Sequence, residues 1–262
     1  MMTYLIPVLI VGGCGVLAGV LLTIVSKLFY VKVDERVQRI SDALPQANCG
    51  ACGFAGCADY ADAIVNGGAQ TNLCRPGGKE AAESIAEILG TEAAEVVPMT
   101  AVVKCSGDCN AVREEFEFGG IRSCKAVKKF YGGSSSCKYG CIGLGDCAAV
   151  CDNDAISVKD GLARVTPLKC TACGKCAAVC PNELIAIKPL AQHIMVLCSS
   201  KDNGRNTRLA CRKGCLGCKL CERNCIEGAI KVEDNHAIIN YDLCAGCGLC
   251  VETCPAKAIH RV

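Results

Sequence analysis

The sequence has no tryptophan and only five phenylalanines, so aromatic residues make up 4% of its 262 positions. A chain of this length would ordinarily bury large aliphatic and aromatic side chains in one or two cores. Here 28 glycines and many alanines leave little bulk to bury. An excess of charge is lacking too: 28 basic residues against 26 acidic ones leave a net charge of +2. Phosphate recognition shows as a clear basic excess or stripe, which argues against a nucleic-acid binder. His193, His236 and His260 are scattered and read as surface or filler residues, and no nucleophile–base–acid set stands out. Nor is there a Rossmann fingerprint. Gly143-x-Gly145 is too short and follows a cysteine run, so a dinucleotide would have to bind elsewhere.

What the chain does have is cysteine, 26 residues of it. Two agents fit such a density, disulfides in an oxidising compartment or metal centres in a reducing one, and composition alone does not choose. The compartment can be read from the N-terminus. Met1 to Ser26 carries no charge, and Leu5–Val25 is dominated by Leu, Ile, Val, Ala and Gly, enough as a helix to cross a hydrocarbon core of roughly 30 Å. A transmembrane helix is expected. A cleaved secretion signal is the rival, but the start has no positive n-region and no Ala-x-Ala site follows. Lys27, Lys32, Arg36 and Arg39 come after the apolar stretch and no cation precedes it, which places the rest of the chain in the cytoplasm, where thiols stay reduced. Gly15-x-x-x-Gly19 could admit a neighbouring helix, and Cys14 reads as a small apolar filler.

Beyond the anchor, Val33, Val37, Ile40 and Leu44 recur at helical spacing before Pro45 and predict a short connector helix. Residues 79–89 predict another, ended by Gly90. Residues 91–104 read as a linker in which Val102-Val103 is a candidate strand. Sliding the chain by 74 residues then superposes Cys124–Lys188 on Cys198–Val262 without a gap. Cysteines 124, 137, 141, 147, 151, 170, 173, 176 and 180 fall on 198, 211, 215, 221, 225, 244, 247, 250 and 254, which marks an internal duplication.

Spacing decides what these cysteines do. Cys170-x2-Cys173-x2-Cys176-x3-Cys180-Pro181 and Cys244-x2-Cys247-x2-Cys250-x3-Cys254-Pro255 have the bacterial ferredoxin spacing, as does Cys215-x2-Cys218-x2-Cys221-x3-Cys225 without the proline. A cysteine every third residue lets a tight loop wrap three corners of a cubane while the fourth thiol reaches the other cluster of a pair. Cys180 and Cys254 would cross back to the earlier run, and Cys151 and Cys225 would cross forward. In the first run Leu144 stands where Cys218 does, giving Cys137-x3-Cys141-x5-Cys147-x3-Cys151. The economical repair is that Cys137 replaces the missing ligand; an incomplete site is the alternative. Zinc also takes four thiolates but usually from two separate dyads.

Upstream, Cys49-x2-Cys52-x4-Cys57-x16-Cys74 forms a different set, with Gly50, Gly53 and Gly56 free to turn N–H groups toward cluster sulfurs. A fifth cluster is expected there, with zinc as the alternative. Cys105, Cys109, Cys124, Cys198 and Cys211 remain. A sixth cluster would use Cys105, Cys109 and Cys124 with one of the other two; free thiols or a redox pair are the alternatives. The expectation is therefore five to six [4Fe–4S] clusters and one-electron transfer.

With these motifs in hand, the chain resembles a known family. An N-terminal membrane helix, Leu44-Pro-Gln-x-x-Cys-Gly-x-Cys-Gly-x-x-Gly-Cys57, the closing Cys74-x-Pro-Gly-Gly and tandem ferredoxin modules together resemble the B subunit of the Rnf ferredoxin:NAD oxidoreductase complex. The resemblance implies a component that receives electrons from soluble ferredoxin and passes them to the other subunits of a membrane complex. That complex reduces NAD while exporting sodium ions or protons. It also implies a location in the cell's inner membrane, with one lipid-embedded helix and the soluble part in the cytoplasm. A polyferredoxin subunit of another membrane dehydrogenase or hydrogenase is the competing reading, and a zinc-bound scaffold a third. A basic stretch, Lys201, Arg205, Arg208, Arg212 and Lys213, is a candidate ferredoxin dock or else an ordinary solvated loop.

The fold class expected is α+β: a transmembrane anchor over 1–29, a four-cysteine cluster domain over 30–90 and a linker with extra cysteines over 91–123. Two ferredoxin-like modules follow, over 124–197 and 198–262.

Overall fold

The computed structural model describes residues 2–28, 34–116 and 119–262, with side chains of the first segment described over 12–27. Helix α1, Met2–Leu28, has no acidic residue in its first turn and Lys27 in its last. Val16, Leu17, Leu21 and Leu22 stand exposed on it. Among the described residues no helix is long and apolar enough to cross a membrane. Lys32 and Val33 lie outside the described residues.

The connector helix expected from the apolar spacing is α2, Glu35–Ala43, started by Asp34, whose carboxylate accepts the Arg36 N–H at 2.9 Å. It stops at Leu44 because Pro45 follows and disfavours a helical conformation before it. Two more helices, α3 (Cys57–Gly67) and α4 (Gly78–Leu89), pack on it, and Gly68 and Gly90 close them in the left-handed conformation. Ile40, Tyr60, Ala61 and Ile85 are buried at their junction with Cys74. This small core buries one aromatic ring, Tyr60, with Phe54 packed beside it at 5.3 Å between ring centroids, among aliphatic side chains and alanines.

The remainder is built twice. The first copy contains β1 (Met99–Val103), α5 (Cys124–Tyr131), α6 (Asp146–Ala149), β2 (Ile156–Lys159), β3 (Leu162–Val165), α7 (Lys175–Val179) and β4 (Ile185–Pro189). The second contains β5 (Ile194–Val196), α8 (Gly204–Ala210), α9 (Leu220–Arg223), β6 (Ile230–Glu233), β7 (His236–Ile239), α10 (Leu249–Thr253) and β8 (Ile259–Arg261). Among the described residues each sheet is a two-stranded antiparallel pair: β1 with β4, β2 with β3, β5 with β8 and β6 with β7. Ile156 pairs with Val165 and Ile230 with Ile239, so both hairpins keep the 74-residue offset of the sequence repeat. Gly143 and Gly217 occupy matching loops at positive φ, pressed on the turns of these hairpins. A Cβ on Gly143 would lie 2.3 Å from the Gly161 oxygen, so only glycine fits.

The outer pairs break the sequence offset. Val103 pairs with Ile185 and Val196 with Ile259, so the first strands of the two copies lie 93 residues apart while their partners lie 74 apart. The next residues repeat the pattern: the Lys104 N–H donates to Leu184 and the Leu197 N–H to Ala258, each at 2.7 Å. Two consequences follow. Residues 99–103, expected inside the linker, are a strand of the first module. Cys198, which sequence sliding matches to Cys124, is the structural counterpart of Cys105.

Candidate metal centre

Among the described residues no group of three or more His, Cys, Asp or Glu side chains is placed to hold a single metal ion. The cysteines instead gather in fours. Cys49, Cys52, Cys57 and Cys74 line one cavity with Leu44, Pro45 and Asn48. The Asn48 side chain accepts the Cys57 N–H at 2.9 Å and so shapes the loop that carries the first three. The Tyr60 hydroxyl donates to the Gln70 carbonyl at 2.7 Å and accepts the Leu73 N–H at 3.1 Å, which sets the segment leading to Cys74. Burial pushes that phenol up to about 12, so it stays a neutral donor.

A second cavity is lined by Cys124, Cys141, Cys147 and Cys180, between Ile142, Leu184 and Ile185. A third is lined by Cys151, Cys170, Cys173 and Cys176. In the second copy, burial and then the thiols of Cys215, Cys254 and Cys218 push Cys221 up to about 11. Cys250 is raised by burial and by Cys244, Cys247 and Cys225. The last cysteine of each long run therefore stands with the earlier group, and Cys151 and Cys225 stand with the later one.

Two placements differ from the reading of the spacing. Cys137, expected with Cys141, Cys147 and Cys151, lines a separate cavity with Cys105, Cys198 and Cys211. Cys124, expected with Cys105 and Cys109, stands in the cavity of Cys141. The cause is α5, which begins at Cys124 and is held against the Cys147 loop: the Asp146 carboxylate accepts the N–H groups of Cys124 at 3.0 Å and Lys125 at 3.1 Å and the Ser123 hydroxyl at 2.9 Å. Ser136, meanwhile, donates to the Ala210 carbonyl at 2.8 Å and carries Cys137 toward the second copy. Cys109 is exposed, with its N–H bound to the Asp160 carbonyl at 2.9 Å, and Cys14 is exposed as well.

The surroundings suit anionic sulfur. Cys170 Sγ accepts N–H groups from Ala101 at 3.3 Å and Ala172 at 3.4 Å. Cys151, Cys180 and Cys254 each accept the N–H four residues on, from Ala155, Leu184 and Ala258. As bare thiols, Cys147 and Cys176 are pushed by burial up to about 12 and about 11. Four thiols around a cavity, buried or half-buried in the first module, with backbone donors aimed at several of the sulfurs, match the needs of an iron–sulfur cubane, whose iron compensates the thiolate charge.

Residues 44–76 match a family model for an Fe-S cluster, and residues 163–186 and 237–260 each match the model of the 4Fe-4S binding domain. The chain is 42% identical over 252 residues to the B subunit of the ion-translocating oxidoreductase complex of Methanosarcina acetivorans, covering 96% of each chain. It is 43% identical over 256 residues to the B subunit of the Na(+)-translocating ferredoxin:NAD(+) oxidoreductase complex of Acetobacterium woodii, covering 97% of this chain and 77% of that one. Against the proton-translocating counterpart of Clostridium ljungdahlii the identity is 39% over 266 residues, covering 100% and 94%.

The chain belongs to the family of B subunits of ion-translocating oxidoreductase complexes. Within that family frame, the two 4Fe-4S segments fall on the later cysteine group of each copy, and the Fe-S segment ends just past Cys74. Other members, such as that of Vibrio campbellii, match over 36% of this chain, at 41% identity.

Proposed function

We propose that this chain relays electrons from reduced ferredoxin to partner subunits of a membrane-bound, ion-translocating ferredoxin:NAD oxidoreductase. The observation that carries this reading is the sorting of its cysteines into fours, around two cavities in the first module and as two groups of neighbouring thiols in the second. Five [4Fe–4S] clusters are assigned, to Cys49/Cys52/Cys57/Cys74, Cys124/Cys141/Cys147/Cys180, Cys151/Cys170/Cys173/Cys176, Cys215/Cys218/Cys221/Cys254 and Cys225/Cys244/Cys247/Cys250. Such clusters supply reversible one-electron storage at potentials set by their surroundings.

The chain's own groups do the rest. The thiols bind, the N–H groups around Cys151, Cys170, Cys180 and Cys254 favour the more negative state, and Ile142, Leu184 and Ile185 keep water from the Cys124 group. Electrons enter the soluble part from ferredoxin and leave through contacts with the other subunits. The anchor is assigned to the uncharged run Leu5–Val25 of the sequence, whose side chains the structure describes only from residue 12 on, as a single span in the inner membrane with the cysteine modules on the cytoplasmic side.

The test is anaerobic mixing of the purified full-length chain with reduced ferredoxin. The broad visible absorption of the clusters should bleach as electrons arrive. A colourless chain that holds zinc, or one that stays oxidised in the presence of reduced ferredoxin, ends this reading.

A further inference from the structure

We infer that Cys105, Cys137, Cys198 and Cys211 hold a sixth [4Fe–4S] cluster where the two ferredoxin modules meet, built from the same two positions of each module. The inference rests on the relay reading and adds a site that the matched segments leave unassigned. All four residues line a single cavity. Cys198 and Cys211 are buried, at 8% and 7% exposure, and among the described residues no cysteine is in a disulfide.

The two modules contribute equivalently. Cys105 and Cys198 each lie two residues beyond an equivalent strand, β1 or β5, and Cys137 and Cys211 match under the 74-residue repeat. The join around them is reciprocal. Ser106 Oγ donates to the Leu197 carbonyl and Ser199 Oγ to the Lys104 carbonyl, each at 3.1 Å. Each serine follows its cysteine directly, so one bond is the counterpart of the other in the opposite module.

The sulfurs are prepared for negative charge in the way already described for Cys170. Cys198 Sγ accepts the Ser200 N–H two residues on, at 3.4 Å, as Cys170 accepts that of Ala172. It also accepts the Cys215 N–H at 3.2 Å. At Cys105 the counterpart of Cys215, Cys141, donates its N–H in the same way. Gly107 brings the backbone close as well, since a Cβ there would lie 3.2 Å from Cys211 Sγ and 3.8 Å from Cys105 Sγ. Cys141 and Cys215 belong to the earlier cysteine group of each module, so the sixth site is hydrogen-bonded to both and completes a continuous path between them. It explains why Cys124 is free to serve elsewhere. Leu144 leaves the first module one ligand short and Cys124 supplies it, while the second module has Cys218.

Full-length chain prepared anaerobically should carry about 24 iron and about 24 sulfide, six clusters of four. Cys137→Ser and Cys211→Ser should each lower iron to about 20 and remove the same Mössbauer and EPR component, whereas Cys109→Ser should leave about 24. A wild-type chain with about 20 iron, with or without one zinc, overturns the sixth site and leaves the relay reading intact; an iron-free chain overturns both. Loss of different components in the two variants also overturns it. Should either variant fail to fold, alkylation of the native wild-type chain decides: Cys109 should be modified and the four thiols protected. Modification of those four at the rate of Cys109 overturns the site.

Discussion

The Cys124 N–H donates to the Asp146 carboxylate at 3.0 Å, a bond between the first residue of α5 and the residue just before Cys147. It brings a cysteine 17 positions upstream of Cys141 into the Cys141 group. Under the proposed assignment, the first module is thereby completed by a thiol that the ferredoxin spacing does not contain.

Cys124→Ala should accordingly remove one cluster, about four iron per chain. Adding Leu144→Cys should restore it, because position 144 matches Cys218 of the second copy. Iron and sulfide analysis of the single and double variants checks this, and a double variant as depleted as the single one would refute the assignment.

Asp146→Asn keeps the size but removes the charge that three donors share. Loss of this cap on α5 should cost about 1–2 kcal/mol and lower the thermal midpoint of the holo chain. The first-module signal should broaden before any other, which EPR at graded temperatures would show.

Tyr60→Phe leaves the half-buried Leu73 N–H and the Gln70 carbonyl without their shared hydroxyl. The cost expected is about 1–3 kcal/mol. Release of iron from the Cys49/Cys52/Cys57/Cys74 group to a chelator should accelerate while release from the ferredoxin modules stays constant.

On the basic stretch, the structure separates paired cations from the rest. Lys213 is held by Asp108 at 2.7 Å, and Asp202 is taken by Lys138 at 3.3 Å, which leaves Lys201, Arg205, Arg208 and Arg212 exposed and outside the ion pairs formed among the described residues. If ferredoxin docks here, changing Lys201, Arg205 and Arg208 to Glu should slow electron entry about tenfold or more at low salt and flatten its dependence on ionic strength. Stopped-flow rates across a salt series check this; an unchanged rate and slope exclude the patch.

Removing residues 1–28 should shift the chain from the membrane fraction to the soluble fraction without loss of iron. The core of α2, α3 and α4 lies wholly beyond that segment. Membrane retention of the truncated chain would show that the anchor lies elsewhere.

Several elements were legible because they are local. The connector helix follows from Val37 and Ile40 at helical spacing before Pro45, the helix ending at Gly90 from its apolar face, and one strand of each hairpin from Ala155-Ile156-x-Val158 and Ala229-Ile230-x-Val232, which recur under the 74-residue repeat. Helix α3 was missed, since it begins at a cysteine and its apolar positions are largely alanines and a tyrosine. The pairings of β1 with β4 and of β5 with β8 were missed as well. They join segments more than 60 residues apart, and nothing within Met99–Val103 names its partner.

By itself the sequence determined the chemistry: thiols at ferredoxin spacing, their duplication, and the four-cysteine segment ahead of them. These are short-range facts, because a loop that wraps a cubane must place its ligands within a few residues. Only the tertiary structure decided where Cys105, Cys124, Cys137, Cys198 and Cys211 go. Sliding the sequence makes Cys124 the twin of Cys198, but strand pairing makes that twin Cys105. Which distant thiols meet depends on how two strands and two modules pack, and that packing is set by long-range hydrogen bonds that leave no periodic trace in the chain.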